Sequence, residues 1–190
     1  AAVFRDHLRL AHDFGCDTVG SETGSCNGDP WIYHPENRTD EARAAVVRTF
    51  SGLCDYAQDY NAYVGMEGAL GHVCYDVKCL ARAVREIGRD NIRIIFDLYN
   101  YLDVSNIDKR YDILAVGVQT FGDRIHIFHI KDCVIKSDGS MEQCGVGKGI
   151  FDYGRILPEI KKVCPDANLV FEETVGEDIP DAATYIRERM

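Results

Sequence analysis

The sequence predicts a parallel α/β protein of the (β/α)8 barrel type. Three observations carry that prediction. Apolar runs of strand length alternate with stretches of helical periodicity along the whole chain, the pattern of a parallel sheet covered by helices. The run Ile92-Arg93-Ile94-Ile95-Phe96-Asp97 is nearly continuous in apolar residues, as in a strand buried on both faces. Four chemically distinctive side chains, Glu67, Asp97, His129 and Glu172, each close one such run, and β/α barrels gather their chemistry at the C-terminal ends of the strands.

The elements follow in chain order. Val3, Phe4, Leu8, Ala11 and Phe14 recur at helical spacing, and Gly15 supplies a stop. Residues 16–20 read as a strand that leads into Ser21-Glu22-Thr23-Gly24-Ser25. Residues 25–38 form a polar loop carrying the only tryptophan, Trp31. Thr39-Asp40-Glu41 opens a long helix with Val46, Phe50, Leu53, Ala57 and Tyr60 on one face. A strand over 62–67 precedes a helix built on Val77, Leu80, Ala81, Val84 and Ile87 and closed by Gly88. The strand over 92–97 comes next, then a helix near 108–121 and a strand over 124–130. Gly145, Gly147 and Gly149 form a tight turn before a helix near 152–163, which Pro158 is expected to delay or bend. A strand over 168–172 follows, and Pro180-Asp181 starts the last helix. With no linker or low-complexity stretch, residues 1–190 read as a single domain.

Geometry separates a barrel from an open sheet. Neighbouring strands lie about 4.8 Å apart, so in a flat sheet the first and fourth of the ligand-bearing strands would be about 14 Å apart. Ligands to one ion must each sit about 2.1 Å from it. The four strand-end residues share an ion only if the sheet curls. A full barrel usually needs about 250 residues, and five β/α units are visible in 190 residues. The expectation is therefore the C-terminal portion of a barrel, with about three N-terminal units outside this sequence.

Composition bounds the function. Hydrophobic residues make up 46% and charged residues 27%, an ordinary globular balance. A net charge of −10 argues against nucleic acid as a partner, since phosphate-driven binding needs a basic surface. No apolar run approaches the roughly 20 residues of a membrane span. The eight cysteines contain no Cys-x-x-Cys pair, which argues against a thiolate zinc site and for reduced thiols in a cytoplasmic protein. Self-association is left open.

Two glutamates, an aspartate and a histidine make a mixed oxygen and nitrogen donor set suited to a hard or borderline divalent cation. Each residue also has a plainer reading. The glutamates suit solvated strand-end carboxylates, Asp97 suits a helix N-cap, and a lone histidine such as His129 suits a satisfied core position. Lys131 reads equally as a cation for a substrate phosphate or as a surface lysine. Trp31 reads equally as an apolar cover for a ligand or as loop packing. Asp132 is expected to orient a ligand, and Glu173 to point away from Glu172. The glycines at 145, 147 and 149 lack the third glycine of a dinucleotide site and the Lys-Ser/Thr of a nucleotide loop.

Taken in order, six segments resemble the sugar phosphate isomerase/epimerase group of xylose isomerase-like TIM barrels. They are Val19-Gly20-Ser21-Glu22-Thr23-Gly24-Ser25, Met66-Glu67 with Gly71-His72-Val73, Phe96-Asp97-Leu98-Tyr99-Asn100, Phe128-His129-Ile130-Lys131-Asp132, Gly145-Val146-Gly147-Lys148-Gly149, and Phe171-Glu172-Glu173-Thr174. The resemblance implies that Glu67, Asp97, His129 and Glu172 bind a divalent metal, Mn²⁺ foremost, with Mg²⁺, Co²⁺ or Zn²⁺ as alternatives. It implies a small-molecule sugar or sugar phosphate as substrate. Glu67 and Glu172 then act as the catalytic pair, moving a proton through a metal-stabilised enediolate. Glu22, Trp31, His72, Asn100 and Lys131 are the candidate substrate contacts. The sequence departs from many relatives at Asn100, where they carry histidine, and at Gly68, where they carry proline. Two other readings stand beside this one: a non-catalytic partial barrel, and a metal-dependent phosphoesterase resembling apurinic endonucleases.

Overall fold

The computed structural model describes residues 2–190. The chain divides into two compact units, Ala1–Ile95 and Phe96–Met190, with the division falling inside one strand.

The first unit contains α1 (Ala2–Phe14), β1 (Thr18–Glu22), α2 (Asp40–Ala57), β2 (Tyr63–Glu67), α3 (Val77–Ile87) and the start of β3 (Ile92–Asp97). The strands β1, β2 and β3 run parallel, with Glu22 in register with Glu67 and Met66 with Ile94. β1 starts two residues later than the sequence suggests. The cause is the end of α1: Gly15, at φ +73°, donates to the His12 carbonyl and Cys16 donates to that of Ala11. These bonds hold Cys16 in the cap of the helix. α2 and α3 start where expected, because Thr39 accepts from the Ala42 N–H and Asp76 from that of Cys79. Gly20 and Gly65 lie in register and leave space for the Ile95 side chain. Two residues further along β1 and β2, on the same face, come Glu22 and Glu67.

The second unit contains the end of β3, α4 (Arg110–Phe121), β4 (Ile125–Ile130), β5 (Asp132–Ile135), β6 (Met141–Cys144), α5 (Tyr153–Val163), β7 (Asn168–Phe171) and α6 (Ile179–Arg187). β4 and β7 are parallel, with His129 opposite Val170 and Ile130 opposite Phe171. Phe96 and Phe128 stack at 5.7 Å on the face turned away from Asp97 and His129, and Phe96 packs against Gly117 of α4. The antiparallel hairpin β5–β6 is an addition to the expected β/α alternation. Pro158 neither delays α5, which starts at Tyr153, nor ends it. The Asp152 carboxylate caps that helix by accepting from the Gly154 N–H, and the proline removes one interior bond only.

All eight cysteines are free thiols, and Cys54, Cys74, Cys133 and Cys164 are buried. No described helix is long and apolar enough to cross a membrane.

Candidate metal centre

The second unit brings three of the four strand-end residues together. Asp97 ends β3, His129 is the fifth residue of β4, and Glu172 follows β7. Asp97, His129 and Glu172 each offer one donor atom, all within 4.8 Å of one another. His129 Nδ1 lies 2.6 Å from Glu172 Oε2 and 3.4 Å from Asp97 Oδ2. Asp97 is fully buried and uses its two oxygens differently. Oδ1 accepts from the Asn100 N–H at 3.1 Å and so caps the short 3₁₀ turn Tyr99–Tyr101. Oδ2 faces the cluster without a well-directed hydrogen bond. The capping and ligand readings of Asp97 are thus compatible.

Lys131 is not a surface residue: it is 4% exposed. It stands two residues beyond His129, on the same face, and one step past the Ile130–Phe171 register pair it falls opposite Glu172. Its Nζ lies 3.0 Å from Asp97 Oδ2 and 3.0 Å from Glu172 Oε2, and donates to Asn100 Oδ1 at 3.2 Å. Burial alone would lower its pKa, but the charges of Asp97 and Glu172 outweigh burial and raise it. Burial likewise works to raise the pKa of Glu172. Its close contacts with His129 and Lys131 prevail and bring it down to about 2.

Glu173 does not point away from Glu172. Strand pairing ends at Phe171, and Glu173 adopts φ +55°, which breaks the alternation and brings its carboxylate within 3.7 Å of Lys131 Nζ. Adjacent glutamates after an apolar run are a signal that alternation alone discards.

Asp132 and the glycine turn form one device. The buried Asp132 carboxylate accepts from four backbone N–H groups: Cys133 at 2.9 Å and Phe151 at 3.0 Å on Oδ1, Gly147 and Gly149 each at 3.0 Å on Oδ2. The turn therefore binds a carboxylate of its own chain. A side chain at Gly149 would collide with that carboxylate. Within the described contacts Asp132 orders this turn rather than a ligand side chain, and the Tyr153 hydroxyl, donating to the Lys131 carbonyl at 2.6 Å, pins the same stretch.

The first unit carries Glu67, Glu22, His72 and Trp31. Glu67 is 6% exposed at the end of β2, and its carbonyl accepts from the Thr23 N–H at 3.1 Å. His72 is fully buried, with no hydrogen bond to either ring nitrogen. Its Nε2 lies 3.8 Å from Glu22 Oε2, and its ring packs on Trp31 with centroids 5.1 Å apart. Burial lowers the His72 pKa, favouring the neutral ring. Trp31 remains 55% exposed. The sequence reading passed over Asn37 and Arg38, which lock this loop in place. Asn37 Nδ2 donates to the Gly71 carbonyl at 2.7 Å, and Arg38 donates to the carbonyls of His72 and Leu70 at 3.0 Å each while stacking on Tyr75.

Comparison with known proteins adds the following. The family model for xylose isomerase-like TIM barrels matches residues 1–189. No significant match was found among curated protein sequences. Among solved structures, the chain is similar to a xylose isomerase domain protein from Planctomyces limnophilus, with 16% identity and a TM-score of 0.74 over 99% of this chain and 63% of that one. It is similar to a xylose isomerase-like TIM barrel protein from Mycobacterium smegmatis in complex with magnesium, with 12% identity and a TM-score of 0.78 over 99% and 66%. It is also similar to the 3-keto-D-glucoside 4-epimerase YcjR from E. coli, with 16% identity and a TM-score of 0.75 over 97% and 69%. The chain thus spans about two thirds, 63% to 69%, of the length of these structures. Their agreement at such low identity establishes the fold, with this chain's β/α units matching part of a TIM barrel.

Proposed function

From the premise that this chain belongs to the xylose isomerase-like TIM barrel family, we propose that it holds a divalent metal on Glu67, Asp97, His129 and Glu172 and moves a proton beside the carbonyl of a sugar or sugar phosphate. The observation that carries this reading is the convergence of Asp97, His129 and Glu172. Asp97 Oδ2, buried beside the Lys131 ammonium and without a well-directed hydrogen bond, keeps a lone pair to give to an ion, and the donor types suit a hard or borderline one. Support for Glu67 comes from its burial and its strand. Continuing the register of β2 with β3 sets Glu67 beside Ile95, two residues before Asp97 on the same face of β3. The magnesium complex and the epimerase among the similar structures agree with this reading. We propose further that the two units belong to one domain.

A divalent cation held there would supply Lewis-acid polarisation of a substrate carbonyl and an adjacent oxygen. Glu172 accepts a proton or returns one, and Glu67 takes the complementary role. His129 fixes the Glu172 carboxylate by its contact through Nδ1. His72 offers a neutral imidazole to a sugar hydroxyl, Glu22 an acceptor, and Trp31 an apolar surface. Asn100 holds Lys131 through its side-chain oxygen.

The experiment is a panel of ketoses and ketose phosphates incubated with the Mn²⁺-supplemented protein in D2O, followed by NMR. The reading expects deuterium at a carbon next to the carbonyl, and its loss in Glu67→Gln and Glu172→Gln. A metal-loaded protein that exchanges no carbon-bound hydrogen across the panel contradicts it and leaves the non-catalytic barrel in its place.

A further inference from the structure

Lys131 brings a second cation to the ligand cluster. A lysine buried to 4% exposure must have its charge answered by close partners. Here the partners are two of the proposed metal ligands, at 3.0 Å each, with Glu173 3.7 Å away as a third carboxylate. The ring of Tyr99, at 5.6 Å, closes another side. The backbone under the ammonium is fixed at both ends: the Lys131 carbonyl takes the Tyr153 hydroxyl, and the next residue, Asp132, is clamped by four N–H groups. Only the four-carbon side chain is free to adjust.

We propose that Lys131 is a built-in counter-cation of the metal centre, a positioning residue that competes with the incoming ion for Asp97 and Glu172. The inference rests on the metal reading above. Without the ammonium, the Asp97, Glu172 and Glu173 carboxylates would stand close together in a partly buried space, and their repulsion would disorder the strand ends. With it, part of that negative charge is offset and the metal-free cluster stays folded. The same ammonium opposes a divalent ion, because it holds one oxygen of each carboxylate and repels a second cation nearby. Lys131 thereby weakens metal affinity while ordering the site for it. A lysine that merely supported the ligands would act in the other direction, and its removal would loosen the metal.

The test is titration calorimetry with Mn²⁺ on the wild-type chain, Lys131→Met and Lys131→Gln, each checked for folding by circular dichroism, with thermal unfolding recorded in excess chelator and in saturating Mn²⁺. The proposal expects both variants to bind Mn²⁺ at least tenfold more tightly than wild type. It also expects both to melt several degrees lower than wild type in chelator and to recover that difference in Mn²⁺. If the methionine variant does not fold, the glutamine variant, which keeps a hydrogen-bonding end, decides. Folded variants that bind Mn²⁺ equally or more weakly overturn the counter-cation role while leaving the metal reading intact. A folded wild type that binds no Mn²⁺ at millimolar concentration overturns the metal reading, and this inference with it.

Discussion

Each unit ends its parallel strands in polar residues, but the two sets are organised in opposite ways. In the second unit Asp97, His129, Lys131, Glu172 and Glu173 are linked by contacts of 2.6–3.7 Å, and Asp132 beneath them is saturated by backbone donors. In the first unit His72 is equally buried yet has no hydrogen bond at either ring nitrogen, with a carboxylate at 3.8 Å and an indole against its face. A cluster of carboxylates in close contact with an ammonium and an imidazole is the arrangement expected of a site that handles an ion. A neutral, unsatisfied imidazole behind an aromatic wall suits an uncharged hydroxyl. Changes in the second unit should therefore cost stability or metal, and changes around His72 should cost ligand alone.

The sharpest break is Asp132→Ala. It leaves four backbone donors without their acceptor, and at about 1–3 kcal/mol for each buried unpaired group, partly recovered by relaxation, the loss should reach about 3–5 kcal/mol. Urea unfolding measures it; a loss below about 1 kcal/mol would show that the glycine turn does not depend on Asp132. Next is Gly117→Ala, whose added methyl meets the Phe96 ring under the Asp97 strand end; overpacking should cost about 1–3 kcal/mol by the same assay.

His72→Leu should do the reverse of Asp132→Ala. It removes a buried polar ring with no hydrogen bond to lose, so stability should change by less than about 1 kcal/mol, while KM for a responsive sugar rises with Mn²⁺ affinity unchanged. The pH dependence follows with its sign. Burial depresses the folded pKa of His72 below its ordinary 6.5, so the unfolded chain binds the extra proton first. Stability due to the neutral ring is present above about pH 6.5 and lost as pH falls below it. The leucine variant should flatten that slope.

The smallest effect is chemical. The neighbouring Cys74 thiol holds the Cys79 thiol below the ordinary thiol range, against the opposing effect of burial, while Cys74 itself is pushed up. Iodoacetamide mapping by mass spectrometry should label Cys79 at a lower pH than an ordinary thiol and leave Cys74 unmodified in the folded protein. Labelling of Cys79 only above pH 8.5 would contradict that contact.

Strand ends were the legible part of this molecule. The apolar run closed by Asp97 and the helix from Val77 to Ile87 fall where the residues place them, because hydrophobic period and caps are local. The hairpin β5–β6 went unread, although Asp138-Gly139 between two short runs, with Gly139 at φ +83°, is a turn signal. The glycine turn at 145–149 was read as a turn, but its occupant, Asp132, lies across the chain and could not be inferred from spacing. Spacing leaves Lys131 between substrate and solvent, and only its contacts with Asp97 and Glu172 show its place. Glu173 was misdirected by a rule of alternation that ends where pairing ends, at Phe171.

Elemental analysis of the purified chain, beside Glu172→Ala, tests the metal centre most directly. The account predicts close to one equivalent of Mn, Mg, Co or Zn per chain after reconstitution and dialysis, falling sharply in the alanine variant. A folded wild-type chain that retains no metal, or a Glu172→Ala chain that retains as much, would contradict it.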